Sequence, residues 1–265
     1  MKNETKLKKI VKDTYGKVVS KKGNSCCSPI SCCDSKTSRS IMSEKYDLLD
    51  GYNPDADYGL GCGIPTKFAK IQKGDTVVDL GSGAGNDCFV ARAETGDKGK
   101  VIGIDFTPKM IKKARKNVKK LGFKNVEFVQ GDIDNMPLDS NLADVIVSNC
   151  VLNLVPNKQA VFKEIYRVLK PKGHFSISDI VLTGELPKKL RSVAAMYAGC
   201  VSGATQKDLY LKYIEETGFK NITVQKEKTI VISDEELKNH LSSKEIAIYK
   251  KDLNIIKSIT VYAEK

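Results

Sequence analysis

No stretch of the 265 residues is apolar for long enough to cross a bilayer: segments such as VIVSNCVLNLV are interrupted by polar residues and fall short of the roughly 18 to 20 residues required. The opening MKNETKLKKIVKD is basic and amphipathic. It lacks the apolar segment and small-residue cleavage site of a secretory leader, and the reading is of a cytoplasmic protein. Histidine is scarce, with only His174 and His240, and no CxxC pair occurs, which leaves the usual four-ligand structural zinc site without ligands. His174 reads as the opening of a core strand and His240 as the end of a polar helix, both structural. Only five of the 44 basic residues are arginine (39, 92, 115, 167 and 191), few for a protein that reads bases or phosphates with a bidentate guanidinium. The net charge of +12 is carried by lysines scattered along stretches such as KMIKKARKNVKKLG, the pattern of a solvated helix face, so neither nucleic acid nor a membrane is expected as partner. Eight cysteines are too few for a disulfide scaffold of this length. No internal repeat is present.

With 41% apolar and 29% charged residues, the sequence otherwise describes an ordinary globular chain. Leu7, Ile10, Val11, Tyr15 and Val18 recur at helical spacing, and Gly16 weakens the far end. Residues 20–40, SKKGNSCCSPISCCDSKTSRS, are small and polar, with two Cys-Cys pairs, and read as a loop. Strand and helix signals then alternate: strand 76–80, helix 86–95, strand 100–105, helix 108–121, strands 126–132 and 143–149, helix 157–169 and strand 174–180. β-Branched apolar strands separated by helices imply an α/β fold, a doubly wound and mainly parallel sheet of Rossmann-like kind. Helices are expected at 187–199 and 205–217, followed by strand-like NITVQKEKTIVI and SITVYAE, which could close the sheet edge as an antiparallel pair. The expected organisation is an N-terminal helix and Cys-rich loop (1–56), a nucleoside-binding domain (57–183) and a smaller C-terminal α+β region that binds substrate (184–265).

VVDLGSGAG, residues 77–85, ends a buried strand and opens a helix, where glycines allow a sharp turn and close approach to a ligand. Asp105 follows at the end of the second strand, placed to accept from ribose hydroxyls. The glycines Gly81, Gly83 and Gly85 are spaced GxGxG, not the GxGxxG of a dinucleotide loop, and Asp79 precedes them on the strand. An acid there would repel a pyrophosphate but suits the positive charge of S-adenosylmethionine. The pattern resembles the class I S-adenosylmethionine-dependent methyltransferases in four further blocks: IGIDFTP with Asp105 and Phe106, VQGDIDNMP with Asp132 and Ile133 where adenine would lie, DVIVSN with Asn149, and LKPKGHFSISD. Together with Ser82 of the glycine loop, these make up the expected cofactor site.

Amino-group methyltransferases resemble one another in an Asn or Asp followed by Pro-Pro and an aromatic after the fourth strand. Here the chain reads Ser148-Asn149-Cys150-Val151, a poor platform for a base. Cys150, Cys62 in GLGCGIP and Cys200 in MYAGCVSGA all fall at loops or element ends, whereas Cys88 lies in an apolar run and reads as packing. Three thiols converging without a companion histidine suggest a soft, trigonal acceptor or metal.

YGLGCGIP, DLGSGAGNDCFVA, VIGIDFTPKMIKKAR, SNCVLNLVPNK, LKPKGHFSISDIV and GCVSGA closely resemble the arsenite S-adenosylmethionine methyltransferases, over about residues 5–220. The resemblance implies that Cys150, Cys200 and Cys62 hold trivalent arsenic, whose lone pair accepts the methyl group, in detoxification or volatilisation of the element. It implies thiols with enough thiolate character to displace oxygen from arsenic at neutral pH. It further implies a redox cysteine in the N-terminal loop, Cys32 or Cys33, with Cys62 and Cys33 as redox partners reset by an external thiol, thioredoxin or glutathione. Cys26 and Cys27 are either spare thiols or part of capture and relay. Methylated As(III) thiol complexes are expected partners alongside As(III). Two other readings stand beside this one: a small-molecule carbon methyltransferase of the quinone or sterol type, and a thiol-based soft-metal binding module.

Overall fold

β-Branched residues alternate along the first, second and fourth strands, and the computed structural model turns that alternation into two covered faces. It describes residues 2–20, 44–191, 200–250, 253 and 255–265. The loop cysteines Cys26, Cys27, Cys32 and Cys33, and the greater part of the helix expected at 187–199, lie outside the described residues.

The chain opens with α1 (Lys2–Ser20), which runs on through Gly16. The first part of the sheet follows as β1 (Thr76–Leu80), α2 (Asn86–Thr95), β2 (Lys100–Asp105), α3 (Pro108–Leu121), β3 (Val126–Gln130) and β4 (Ala143–Asn149). After these come α4 (Lys158–Val168), β5 (Leu169–Leu182), α5 (Lys188–Arg191), α6 (Lys207–Thr217), β6 (Lys220–Thr229), α7 (Asp234–Lys238), α8 (Ser243–Tyr249) and β7 (Ile256–Glu264). The seven strands form one sheet in the order β3-β2-β1-β4-β5-β7-β6. The first five are parallel, and β7 runs antiparallel between β5 and β6.

Val77, Val101, Val145 and Val147 face α2 and α3, where they bury Phe89, Ile111 and Ala114. Val78, Leu80, Ile102, Ile104 and Ile146 face the other way, onto Phe162 and Ile165 of α4 and Tyr210 and Ile214 of α6. Each such side chain contributes about 1.5–3 kcal/mol when fully buried, so a strand polar on either face would not hold the central position. A third apolar cluster joins Val11 of α1 to Leu182, Leu190, Ile230 and Ile256, and Cys62, Cys150 and Cys200 lie within it.

Several element boundaries differ from the sequence reading, and two of them have a clear cause. β3 ends at Gln130, because the chain turns at Asp132, which forms an isolated bridge with Asn135. β5 begins at Leu169, paired with Ala143, and a register shift before Val145 absorbs the residues ahead of His174. Chain order runs outward from β1 to β3, then returns to β4 on the other side of β1. The crevice beyond the carboxyl ends of β1 and β4 is therefore the switch point at which open α/β sheets bind ligands.

Candidate active site

The loop after β1 turns on Gly85, which has φ of 102° and opens α2; a Cβ there would meet Phe128 and Phe89 at 2.7 and 2.8 Å. The Ser82 N–H donates to the Ile104 carbonyl at 2.8 Å, and the Asn117 Nδ2 donates to the Ala84 carbonyl at 3.0 Å, which tie the loop to β2 and α3. Asp105, at the end of β2, accepts from the Gly83 N–H at 3.0 Å on Oδ2 and from the Thr107 N–H at 2.7 Å on Oδ1.

These groups line a cleft of about 1110 Å³, open mouth included, together with Asp132, Ile133, Phe106, Asn149 and Cys150. Every residue of the expected cofactor set except Gly85 borders this one space. The cleft is rich in acid. Asp79, Asp87 and Asp105 are buried, and among the described residues no Lys or Arg forms an ion pair with any of them. Burial raises all three carboxyls, Asp79 well above the ordinary carboxylate range and Asp87 to about 6, and at these two the charges of neighbouring acids add to the effect. The hydroxyl of Ser82 and Oδ1 of Asn86, both on the cleft wall, are buried without a hydrogen-bond partner. Uncompensated carboxylates and orphaned polar atoms at one cleft fit a cationic, hydroxyl-bearing ligand, which S-adenosylmethionine is.

Beside this cleft the three thiols come together. Cys62, Cys150 and Cys200 share one buried apolar cluster, close enough to affect one another's protonation. The Cys200 thiol also lies 2.8 Å from the Cys150 carbonyl, to which it donates. All three are reduced and buried, and Cys150 alone among them lines the cleft. Cys150 and Cys200 both sit at positive φ, 62° and 66°, a left-handed backbone that costs a β-carbon residue energy and that the surrounding structure must hold. For Cys150 part of that hold is its N–H, which donates to the Ser178 carbonyl at 2.7 Å. Among the described residues no three Cys, His, Asp or Glu side chains stand ready as a metal cage, so the cluster is two thiols gathered on a third and not a preset trigonal site.

The expected thiolate character is corrected by the structure. Hydrogen bonding with Cys200 and Cys62, and then burial, hold the Cys150 thiol well above its ordinary range, and burial raises Cys62. The nearest buried cation, Lys158, donates to the Gly203 carbonyl at 2.8 Å and supports the Cys200 loop. Cys62 and Cys150 therefore favour the neutral thiol form in the ligand-free protein.

Four residues bordering the cleft were not legible as site residues: Lys8, Tyr15, Tyr46 and Asp87. Tyr15 was assigned to the apolar face of the first helix, and that face is turned onto the cleft. Lys8 reaches Asp132 at 3.2 Å and Asp134 at 3.1 Å, closing one rim. Cys88 packs beside Phe89 as expected, but its thiol also donates to Asp79 at 3.2 Å.

Behind the thiols, Asp179 accepts from the Asn153 Nδ2 at 2.8 Å, its neighbour Ile180 N–H at 3.0 Å and the Tyr210 hydroxyl at 3.3 Å, and burial raises it to about 7. Carboxyls raised in the folded state stabilise it most below the unfolded value of about 4 and lose that contribution as pH rises through 6 and 7. The melting temperature of the ligand-free protein is therefore expected to fall by a few degrees between pH 5 and pH 8, with a shallower fall in Asp87→Asn. Parallel pH profiles for the two proteins would show that Asp87 is not strained by ionisation.

A family model described as "Methyltransferase domain" matches residues 71–218. An arsenite methyltransferase of Halobacterium salinarum is 42% identical over 241 residues, covering 86% of this chain and 61% of the relative. Another of the same name, from Aquipseudomonas alcaligenes, is 32% identical over 241 residues, covering 87% and 67%. The crystal structure of an arsenic(III) S-adenosylmethionine methyltransferase from Chlamydomonas reinhardtii superposes with a TM-score of 0.65 at 33% identity, covering 77% of this chain and 67% of that one. The chain thus spans about three fifths to two thirds of the length of these relatives. Among the described residues no helix is long and apolar enough to cross a membrane.

Proposed function

The chain belongs to the arsenite methyltransferase family within the class I methyltransferase fold, and from that premise we propose that it transfers a methyl group from S-adenosylmethionine to trivalent arsenic held by Cys62, Cys150 and Cys200. The single observation that carries the reading is the meeting of these three thiols, distant in sequence, at the edge of the acid-lined cleft.

Neutral thiols suit this substrate. Arsenite at neutral pH is the uncharged trihydroxide, and its exchange with three thiols forms three As–S bonds, breaks three As–O bonds and releases three waters. Each thiol proton leaves with a departing hydroxyl, so no charge is created in the buried cluster and a raised thiol pKa is no obstacle. Held by three sulfurs, arsenic keeps its lone pair on the fourth face. Because Cys150 borders the cleft while Cys62 and Cys200 lie behind it, that face is the one turned toward the cofactor site.

S-Adenosylmethionine, when bound, supplies a methyl group made electrophilic by its sulfonium. The residues that would hold it are Asp105 on the ribose hydroxyls, Asp132 and Ile133 beside the adenine, Phe106 at the cleft wall, and Gly81, Ser82, Gly83 and Gly85 around the amino-acid end. Asp79 would lie beside that amino-acid end, on β1 just before the loop. No general base is needed at arsenic, since the lone pair carries no proton. The chain's contribution is proximity and orientation in a site from which water is largely excluded. Re-reduction after transfer is assigned to an external thiol, thioredoxin or glutathione, acting through Cys62 and the loop cysteines Cys32 and Cys33. The cytoplasmic compartment keeps such thiols reduced.

Release of S-adenosylhomocysteine in the presence of As(III) and a thiol, and its absence without As(III), is the expected result. Release that ignores arsenic favours the carbon-methyltransferase reading. Stoichiometric arsenic binding with no release favours a metal-binding module.

A further inference from the structure

We propose that Asn149 is a positioning residue for arsenic capture, whose carboxamide holds the backbone of Cys62 so that this thiol becomes the third donor beside Cys150 and Cys200. Asn149 is the last residue of β4 and directly precedes Cys150. Its Oδ1 accepts from the Cys62 N–H at 2.9 Å and from the Gly63 N–H at 3.3 Å. Its Nδ2 donates to the Gly63 carbonyl at 2.8 Å, the Tyr46 hydroxyl at 2.7 Å and Asp87 at 3.2 Å. The Tyr46 hydroxyl in turn donates to Asp87 at 2.8 Å, so the amide is fixed from its far side as well. One side chain therefore pairs with the 62–63 backbone as a neighbouring strand would, and both lone pairs of Oδ1 and both hydrogens of Nδ2 are engaged.

The loop is shaped to receive that amide. A Cβ on Gly61 would lie 2.4 Å from Asn149 Nδ2, and one on Gly63 would lie 2.4 Å from Ser178 Oγ. The two glycines flanking Cys62 therefore allow the backbone to rest directly on the ends of β4 and β5. The Ser258 hydroxyl completes the seat from β7 by donating to the Cys62 carbonyl at 2.6 Å. Because Cys150 takes its own backbone position from β4 and the Ser178 carbonyl, two of the three thiols share a single rigid support.

This inference rests on the three-thiol reading above and is tested so that the two can fail separately. The full chain carries Ser in place of Cys26, Cys27, Cys32 and Cys33, which removes competing thiol pairs, and its affinity is measured for arsenite and for phenylarsine oxide. Arsenite takes three sulfurs; phenylarsine oxide, with one bond to carbon, takes two. In Asn149→Ala and in Gly61→Ala, arsenite affinity is expected to drop about tenfold or more while phenylarsine oxide binding stays within about threefold, since the hydrogen bonds lost to the 62–63 backbone position the third thiol and not the other two. Cys62→Ser should show the same selective loss. If Cys62→Ser leaves arsenite affinity unchanged, the three-thiol reading itself fails. If Cys62→Ser shows the loss but neither Asn149→Ala nor Gly61→Ala does, the positioning role fails alone. An equal loss for both ligands in the two positioning variants also overturns it, because general disorder then explains the effect. Should Asn149→Ala not fold, Gly61→Ala approaches the same contact from the loop side and decides the matter.

Discussion

Cys150→Ser is expected to lower As(III)-dependent release of S-adenosylhomocysteine by about a thousandfold or more, and Cys200→Ser to do the same. Serine offers arsenic only the oxygen it already has in arsenite, so the exchange that drives capture is lost at that position. The remaining pair of sulfurs leaves a third coordination site open to water, and the lone pair is no longer fixed in one direction. Both substitutions are nearly isosteric, and the left-handed backbone at each position is as accessible to serine as to cysteine, so the fold should persist. The check is initial rate at saturating S-adenosylmethionine together with a circular dichroism spectrum. Turnover within about tenfold of the parent in either variant would move the arsenic site away from these residues.

Asp105→Ala is expected to weaken S-adenosylmethionine about a hundredfold, with arsenite affinity within a few-fold of the parent. Asp105 already accepts the N–H groups of Gly83 and Thr107, one on each oxygen, and a carboxylate has capacity for about two further hydrogen bonds toward the cleft. Removing it loses the charge-assisted bonds to ribose and also frees the glycine loop it holds. The thiol cluster draws its support from β4, β5 and β7. Calorimetric titration of each ligand separates the two sites. Parallel loss of arsenite binding would mean that they are not independent.

The central strands and helices were legible to the residue. β1, α2, β2, α3 and β4 begin and end where β-branched runs meet Gly, Pro and Asp, because those boundaries are set by local chemistry. The polar helix read before His240 is α7, whereas α8 was not foreseen: at seven residues it is too short for a helical period to stand out. The antiparallel closing pair was anticipated from SITVYAE, whose β-branched residues lie between β5 and β6. At the site, glycine neighbours and element ends pointed to Cys62, Cys150 and Cys200. What the sequence could not convey was the support: Asn149, Tyr46 and Asp87 meet across separations of 41 to 103 residues. Nor could it convey that the Cys150 thiol is held up by its two sulfur neighbours and by burial.

Arsenic K-edge X-ray absorption on the reduced protein, loaded with one equivalent of As(III) in the presence of S-adenosylhomocysteine, reads the coordination of the substrate itself. Three sulfur neighbours and no oxygen is the expected shell, falling to two sulfurs and one oxygen in Cys62→Ser. An oxygen in the shell of the parent protein, or a shell unchanged by replacing Cys62, would contradict capture by the three thiols gathered at Cys150.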